Sequence, residues 1–303
     1  MSRREEAWLV DASMYVFRAW HSLPDEFQDH EGWPVNAVHG FTRFVLELLE
    51  KHRPPRLLFA FDAALESNFR NSIYPAYKAN RERAPDELKR QFRWCQEVVR
   101  ALGFPVLAHE QYEADDLIGS ALQVLRRAGL RNRIISADKD LSQLLDGDDE
   151  QWDYARAERW NVHGVKARYG VHAHQVADFL GLTGDAIDNI PGVPGIGAKT
   201  AASLLEHFGS MDALFERVAE VPYLRSLRGS AAHGARLKEH RELALLSRRL
   251  ATIACDAPMP EDFADAVRKP VDGAALDALV EQLRFGPMTR RRLLNACGSA
   301  EPA

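Results

Sequence analysis

The first half of the chain alternates short, wholly apolar segments with longer amphipathic ones. The apolar segments are Ala7–Val10, Leu57–Phe61, Phe104–Ala108 and Arg133–Ser136. Segments of this kind are typical of strands that are buried on both faces. The segments between them, which carry apolar residues at the three- and four-residue spacing of helices, are Ala37–Lys51, Pro85–Leu102 and Ala114–Ala128. This alternation predicts an α/β domain over residues 1–165, with a parallel sheet covered by helices on both faces.

The second half shows no strand pattern after Trp160. Its helix candidates, which are joined by Gly- and Pro-containing turns, are Val171–Gly184, Lys199–Phe208, Met211–Val218 and Arg236–Leu250. We therefore expect a second, all-helical domain over residues 166–303. A chain of 303 residues is also long enough for two domains at about 150 residues each.

The composition restricts the class of protein. Hydrophobic residues make up 46% and charged residues 27% of the chain, which is typical of globular proteins and excludes disordered, collagen-like and coiled-coil chains. No apolar run reaches the ~20 residues of a membrane span, and the N-terminal residues lack a signal-peptide pattern. The three cysteines form no CxxC pair. We therefore expect reduced thiols, a cytoplasmic location, no membrane partner and no zinc site.

Acidic residues follow three of the predicted strands. Asp11 and Asp62 come directly after the first and second strands, and Asp138 and Asp140 follow the fourth. Because ligands of parallel sheets bind at the carboxyl ends of the strands, these acids are candidates for a common site. One acid in such a place has a simple structural explanation as a helix cap.

A second acidic run, Glu113, Asp115 and Asp116, surrounds the predicted start of a helix. Helix dipoles favour acids there by ~0.3–1 kcal/mol. Gathering many acids costs on the order of 1–4 kcal/mol per close pair, however, so the full set predicts bound cations. Oxygen ligands favour Mg²⁺ or Mn²⁺, and two such ions can promote hydrolysis of a phosphodiester.

The segment from Gly184 to Thr200 combines acids with a glycine-rich hairpin. Asp185 and Asp188 are three residues apart, so a helical turn would place both on one face. The hairpin Gly192–Gly197 precedes a predicted helix from Ala198, and backbone N–H groups at a helix N-terminus bind phosphate. A structural hairpin between two helices is the alternative. The segment is not a P-loop, because Ala198 precedes Lys199-Thr200 and no strand comes before it.

A basic segment with interspersed tyrosines follows the second predicted strand. It contains Arg70, Lys78, Arg81 and Arg83 around Tyr74 and Tyr77. This pattern suits a nucleic-acid strand, whose phosphates meet cations while its bases stack on rings, although a solvated face is the simpler explanation. The net charge of −5 does not exclude this partner. Setting aside the nine candidate metal ligands leaves a net charge of +4 for the rest of the chain.

Six motifs in a fixed order resemble a known family. They are LVDAS (Leu9–Ser13), FDA (Phe61–Ala63), FR..IYPAYKANR (Phe69–Arg81), EADDLIG (Glu113–Gly119), ADKDLSQLL (Ala137–Leu145) and GDAIDNIPGVPGIGAKTA (Gly184–Ala201). Together they resemble the 5′-nuclease superfamily, specifically its bacterial 5′–3′ exonuclease and flap endonuclease type. That type also forms the N-terminal nuclease domain of DNA polymerase I. A chain of 303 residues leaves no room for a polymerase, so we expect a stand-alone enzyme.

The resemblance implies a PIN-like nuclease domain, with an arch or clamp near residues 66–92, followed by a helix–three-turn–helix DNA-binding domain. It also implies two Mg²⁺ ions, with Mn²⁺ as a substitute. One group of ligands would be Asp11, Asp62, Glu113, Asp115 and Asp116. The other would be Asp138, Asp140, Asp185 and Asp188.

The same resemblance assigns roles in substrate binding. Lys78 and Arg81 match the arch cations that act at the scissile phosphate, beside Arg70 and a stacking Tyr77. The residues facing DNA would be Gly192, Gly195, Ile196, Gly197, Ala198, Lys199 and Thr200. Backbone carbonyls that hold K⁺ in some members match Leu182, Thr183, Pro191, Val193 and Ile196.

These features predict a metal-dependent 5′–3′ exonuclease and 5′-flap endonuclease that acts on DNA as a monomer and leaves 5′-phosphate ends. RNA primers are a further candidate substrate. Two alternatives remain open: a structure-specific DNA-binding module with weak or no cleavage, and an RNase H-like activity on RNA 5′ strands. Since no acid of either group is missing, we expect an active nuclease.

Overall fold

The computed structural model describes residues 5–63, 68–225, 227–260, 263 and 268–298. Residues 66 and 67, at the start of the predicted arch, lie outside the described residues. The strands of the described part are β1 (Glu6–Asp11), β2 (Arg56–Asp62), β3 (Val106–His109), β4 (Arg131–Ile135), β5 (Glu150–Asp153) and β6 (Glu158–Asn161). Its α-helices are α1 (Ala12–Ser22), α2 (Asn36–His52), α3 (Phe69–Ile73), α4 (Asp86–Ala101), α5 (Ala114–Arg127), α6 (Val162–Tyr169), α7 (Val176–Thr183), α8 (Ala198–Phe208), α9 (Met211–Glu216), α10 (Ser230–Glu239), α11 (Arg241–Ala251), α12 (Gly273–Gln282) and α13 (Pro287–Ala296).

The described residues divide into two compact units, each assembled from separate stretches of chain. The first unit draws on Met1–Glu66, Arg83–Ser136 and Cys255–Ala303. The second draws on Ser67–Glu82 and Ala137–Ala254. The domain boundaries inferred from sequence, 1–165 and 166–303, follow chain order and stay a prediction.

The first unit contains the predicted parallel sheet. Its strands lie in the order β3-β2-β1-β4, and every pairing between them is parallel. The register places Asp11 opposite Ala60 and Asp62 opposite His109. The central strands β1 and β2 are buried along almost their whole length. The α/β prediction is therefore confirmed, and neighbouring strands end in acids at one edge of the sheet.

The end of the chain adds two helices to the first unit that the pattern analysis did not predict. Helix α12 packs on α4, and α13 packs on α2. Arg292 anchors α13 through two hydrogen bonds to Glu50, at 2.9 and 2.7 Å. The C-terminal part of the predicted helical domain therefore belongs to the compact unit that holds the sheet.

The second unit contains an antiparallel hairpin of β5 and β6, which the sequence pattern also did not predict. Its inward side chains are partly polar. Gln151 is fully buried and donates to the Asp138 carbonyl at 2.5 Å, while its side-chain oxygen accepts from Ser142 Oγ at 2.7 Å. Polar residues in buried positions conceal the apolar pattern by which strands are found.

The rest of the second unit is helical, as predicted. The single helix expected over 236–250 is in fact two, α10 and α11, which are separated at His240. The helix expected from Val171 is a 3-10 turn at Ala173–Gln175 followed by α7. Across the described residues, no helix is long and apolar enough to cross a membrane.

Candidate metal and nucleic-acid sites

The acids at the ends of β1 and β2 accept hydrogen bonds from backbone amides and a serine hydroxyl. Asp11 is 6% exposed, caps α1 by accepting from the Met14 amide at 3.2 Å, and accepts from Ser136 Oγ at 2.8 Å. Asp62 accepts from the Ala114 amide at 2.8 Å. Its own amide donates to Ser13 Oγ, also at 2.8 Å. Asp62 therefore joins the end of β2 to the start of both α1 and α5.

The acids at the start of α5 occupy the predicted places. Glu113 is the N-cap residue, and Asp115 and Asp116 lie in the first turn. Asp116 is fully buried, and its Oδ2 accepts from the Glu113 amide at 3.1 Å, while the Glu113 side chain accepts from the Asp116 amide. The five acids of the first group thus lie in one unit, on β1, β2 and α5.

Asp138 and Asp140 of the second unit repel other carboxylates. Asp138 Oδ1 accepts from the Asp140 amide at 2.9 Å. Asp140 Oδ1 is buried and accepts no hydrogen bond from a described residue. Burial raises the pKa of Asp140 well above its usual range, and the charges of Asp138, Asp185 and Asp188 add to the effect. Burial and the charge of Asp188 likewise raise the pKa of Asp138, against the opposing effect of the Asp140 amide.

Asp185 and Asp188 lie in a closed turn and not on the helical turn that their spacing predicted. Asp185 and Ile190 exchange two backbone hydrogen bonds of 2.8 Å. Asp185 Oδ1 accepts from the Ile187 amide, also at 2.8 Å. A carboxylate that bonds the amide two residues ahead stabilises a turn in place of a helix.

Basic side chains pair with these two acids. Lys139 Nζ lies 2.6 Å from Asp185 Oδ2. Arg81 lies 2.5 Å from Asp188 Oδ1, and Lys78 Nζ lies 3.7 Å from Asp188 Oδ2. Burial alone would raise the pKa of Asp185, but the hydrogen bond and charge of Lys139, together with the amides of Ile187 and Asp188, lower that pKa. The second acid group is therefore partly neutralised by cations of its own unit.

The backbone of the basic segment is fixed to the same turn. The Lys78 amide donates to the Asp188 carbonyl at 3.0 Å, and Asn189 Nδ2 donates to the Ala76 carbonyl at 2.6 Å. Lys78 has a φ of +55°, a left-handed conformation that costs residues other than glycine roughly 1–2 kcal/mol. Lys78 and Arg81, the predicted arch cations, are thus held against Asp188.

Two residues predicted to contact nucleic acid are buried. Arg70 is 2% exposed, and its guanidinium donates to the carbonyls of Leu250 at 2.8 Å and Thr252 at 3.0 Å, at the end of α11. Tyr77 is 3% exposed, and its hydroxyl donates to Asp188 Oδ2 at 3.3 Å. Both side chains take part in packing within the unit, and their contact with nucleic acid stays a prediction.

The donor set suits a hard divalent cation. Every candidate ligand is a carboxylate, and Asp140 Oδ1 is a buried acceptor with no described donor, which is the chemistry that Mg²⁺ and Mn²⁺ prefer. Within the ranges that the structure describes, three or more His, Cys, Asp or Glu side chains do not converge as a preformed metal cluster.

The predicted phosphate hairpin lies at the start of α8. Helix α8 has Gly197 as its N-cap residue, and no described side chain caps it. Ala198 and Lys199 are exposed, so the first amides of α8 are open to an anion. Gly192 has a φ of +63°, and a β-carbon there would lie 2.2 Å from the Gly184 nitrogen. Only glycine fits this close approach of two backbones.

The backbone carbonyls matched to a potassium site lie around the close approach of Gly184 and Gly192. The Leu182 carbonyl accepts from the Val193 amide at 2.8 Å, and the Val193 carbonyl accepts from the Ile196 amide at 3.0 Å. A β-carbon at Gly184 would lie 2.8 Å from the Pro191 oxygen. The end of α7 and the hairpin therefore bring these backbone segments together.

Sequence reasoning missed two cations. Lys139 lies between Asp138 and Asp140, and its place inside an acidic motif was the available signal. Arg236 of α10 is exposed and lies against the hairpin, since a β-carbon at Gly195 would be 2.7 Å from Arg236 Nη1. No carboxylate of the described chain pairs with Arg236. Only long-range folding brings Arg236 there, so local pattern could not reveal it.

Comparison with known proteins agrees with this architecture. The model of the family "5′-3′ exonuclease, N-terminal resolvase-like domain" matches residues 6–170, and "5′-3′ exonuclease, C-terminal SAM fold" matches residues 171–274. DNA polymerase I of Rhizobium leguminosarum is 34% identical across 100% of this chain and 30% of its own length. DNA polymerase I of Pseudomonas aeruginosa is 38% identical across 91% of this chain and 30% of its own length. The chain thus spans about a third of these relatives.

Solved structures share the fold at low sequence identity. T5 5′-exonuclease with bound zinc superposes with a TM-score of 0.66 at 20% identity, covering 98% of this chain and 100% of that one. The catalytic core of Rad2 in complex with a DNA substrate has a TM-score of 0.66 at 14% identity, covering 97% and 92%. Since one family model alone accounts for more than half of the residues, this chain belongs to the 5′-3′ exonuclease family.

Proposed function

We propose that the protein is a metal-dependent 5′ nuclease that hydrolyses DNA phosphodiesters at 5′ ends and 5′ flaps and leaves 5′-phosphate ends. The observation that carries the proposal is the complete acid set. Five acids end β1 and β2 or begin α5, and four surround the second-unit turn. Membership of the exonuclease family supports the reaction, and relatives solved with DNA support the substrate.

Two divalent ions fit the proposal. Asp11, Asp62, Glu113, Asp115 and Asp116 would hold one, and Asp138, Asp140, Asp185 and Asp188 would hold the other. When bound, such ions supply a hydroxide at neutral pH and stabilise charge on the leaving oxygen. Mg²⁺ is the ion that we propose, with Mn²⁺ as its substitute, because all the ligands are oxygens.

The chain's own cations complete the chemistry. Lys78 and Arg81 are cationic at neutral pH, and their pairing with Asp188 places both at the second acid group. There they would stabilise negative charge as it grows on the scissile phosphate. Lys78 would act as an electrophile and not as a base.

The hairpin at α8 would hold the duplex. Its amides and Lys199 are open to a phosphate, and they contact the backbone without reading the sequence. The carbonyls of Leu182, Thr183, Pro191, Val193 and Ile196 are proposed to hold K⁺. We further propose that the protein acts as a cytoplasmic monomer. RNA 5′ strands stay a candidate substrate, because contacts to phosphates alone do not distinguish a ribose from a deoxyribose.

The decisive experiment is cleavage of a 5′-labelled flap duplex with Mg²⁺. We expect a short labelled product from the wild-type protein, no product with chelator, and at least about a 10³-fold lower rate for Asp116→Asn. Asparagine retains the acceptor for the Glu113 amide, so this variant should fold. The matched control is Asp86→Asn, since Asp86 is an exposed first-turn acid of α4.

The other outcomes would either assign the protein to a different functional class or refute the role of the first acid group. Flap binding without product in Mg²⁺ or Mn²⁺ would identify a binding module. Faster cleavage when the flap strand is RNA would identify a ribonuclease. Equal rates for Asp116→Asn and Asp86→Asn would refute the proposed role of the first acid group.

A further inference from the structure

Both oxygens of Asp185 are already engaged. Oδ1 accepts from the Ile187 amide at 2.8 Å, and Oδ2 lies 2.6 Å from Lys139 Nζ. The Asp185 side chain is only 7% exposed. An ion that ligates Asp185 through Oδ2 would therefore compete with the Lys139 ammonium group for that oxygen.

Lys139 is suited to such a replacement. Its side chain is 43% exposed, and lysine carries a compact charge on a flexible stem that can turn toward solvent. It lies between Asp138 and Asp140, so its charge offsets repulsion among these acids as well as Asp185. Backbone amides bind the same acids, but they remain fixed in place.

We infer that Lys139 is a built-in counter-ion of the second acid group. Its ammonium group holds Asp185 Oδ2 while the group binds no divalent ion, and it leaves that oxygen when an ion binds. The inference rests on the proposed function, in which Asp185 is a metal ligand. It assigns Lys139 to metal exchange and not to contact with the substrate.

Removing the charge of Lys139 should have two opposite effects. Lys139→Met keeps the length of the side chain but removes the competitor for Asp185, so divalent ions should bind more tightly. The metal-free protein should become less stable, because its crowded carboxylates lose their neutralising charge. A structural lysine would affect only stability, and a phosphate-binding lysine would affect only nucleic-acid affinity.

The experiment is a titration of the nucleic-acid-free protein with Mn²⁺, read from the electron paramagnetic resonance signal of free Mn²⁺. We expect one of the bound ions to bind at least threefold more tightly to Lys139→Met than to wild type. In chelator, the melting temperature of Lys139→Met should be lower, and saturating Mn²⁺ should remove the difference. Lys139→Arg should resemble wild type in both measurements.

The matched control is Lys166→Met. Lys166 is an exposed lysine of the same unit that lies 3.2 Å from Glu206, so the variant removes the same charge elsewhere. It should leave Mn²⁺ affinity unchanged. Equal or weaker Mn²⁺ binding by Lys139→Met would overturn the inference, and a loss of single-strand affinity would then assign the lysine to phosphate.

Failure of the proposed metal site gives a different result. In that case Asp185→Asn would bind Mn²⁺ as the wild type does, or the wild type would bind none. Either result overturns both the assignment of Asp185 as a metal ligand and the role of Lys139. Mn²⁺ binding that is lost in Asp185→Asn but unchanged in Lys139→Met overturns only the role of Lys139.

Discussion

The two acid groups are held in different ways. In the first group, Asp11 and Asp62 accept hydrogen bonds from amides and hydroxyls, and those donors are fixed by strand ends and helix starts. In the second group, Asp185 and Asp188 pair with Lys139, Lys78 and Arg81. Amide donors orient a carboxylate and leave its negative charge in place. Basic side chains neutralise the charge, but they can move away.

The first acid group is therefore characterised by the orientation of its carboxylates, and the second by the neutralisation of their charge. The first group is oriented by donors at strand ends and helix starts, so it should select the position of an ion. The second group can exchange its internal cations for external ones. It also contains both proposed catalytic cations, so a change at Asp188 should reach Lys78 and Arg81 directly.

Among the basic residues of the second unit, the largest expected effect comes from Lys78. Lys78→Ala should lower the flap-cleavage rate about 10²–10³-fold, because it removes a charge that stabilises the scissile phosphate. Lys78→Gly should be equally impaired but more stable than Lys78→Ala by about 1 kcal/mol, since glycine adopts the φ of +55° without strain. Rates measured at saturating substrate and thermal melting in chelator test both statements.

Lys89→Ala is the control for the rate. Lys89 Nζ lies 3.8 Å from Asp86 Oδ1, and Lys89 belongs to the first unit. Its loss should not slow cleavage. Cleavage by Lys78→Gly at the wild-type rate would show that only the backbone of this residue matters, and not its charge.

A second prediction compares the two groups through stability without metal. Asp11→Ala should destabilise the protein by about 1–2 kcal/mol, because it removes the cap of α1 and leaves Ser136 Oγ without this acceptor. Asp140→Asn should stabilise it by roughly 1 kcal/mol, because it removes a charge that burial and neighbouring acids disfavour. Thermal melting in chelator at neutral pH measures both changes.

The pH dependence of stability tests the cause assigned to the stabilisation by Asp140→Asn. The pKa of Asp140 is raised in the folded protein, so its ionised form destabilises the fold above that pKa. As the pH falls below the raised pKa, wild-type Asp140 takes up a proton in the folded protein, and the penalty declines until the pH reaches the usual aspartate pKa. The advantage of Asp140→Asn should therefore shrink at lower pH, and an advantage that grows would contradict the assigned cause.

Sequence pattern predicted the sheet because its strands are buried on both faces and therefore continuously apolar. It missed β5 because Gln151 and Asp153 occupy fully buried positions there, and a buried polar residue looks like a surface residue in the sequence. It joined α10 and α11 because the break at His240 lies in an otherwise helical pattern.

The acids of the site were predictable because strand ends and helix starts are visible in the sequence. The contacts of the basic residues were not predictable. Arg70 looked like a surface cation, yet the carbonyls that bury it belong to Leu250 and Thr252, about 180 positions further along the chain. Contacts at such separation depend on the folded chain, and no local pattern records them.

The smallest expected effect comes from Arg236. Its removal tests whether a basic side chain assists the backbone amides of the α8 hairpin in binding phosphate. Arg236 lies against Gly195 and has no carboxylate partner among the described residues. Arg236→Ala should therefore weaken duplex binding about threefold to tenfold and lower the slope of log affinity against log salt by about one. Fluorescence anisotropy at several salt concentrations measures both values. Arg236→Lys should retain the slope, and Lys51→Ala in the first unit should change neither value. An unchanged slope for Arg236→Ala would mean that the amides alone hold the phosphate, so the two kinds of donor would serve separate tasks.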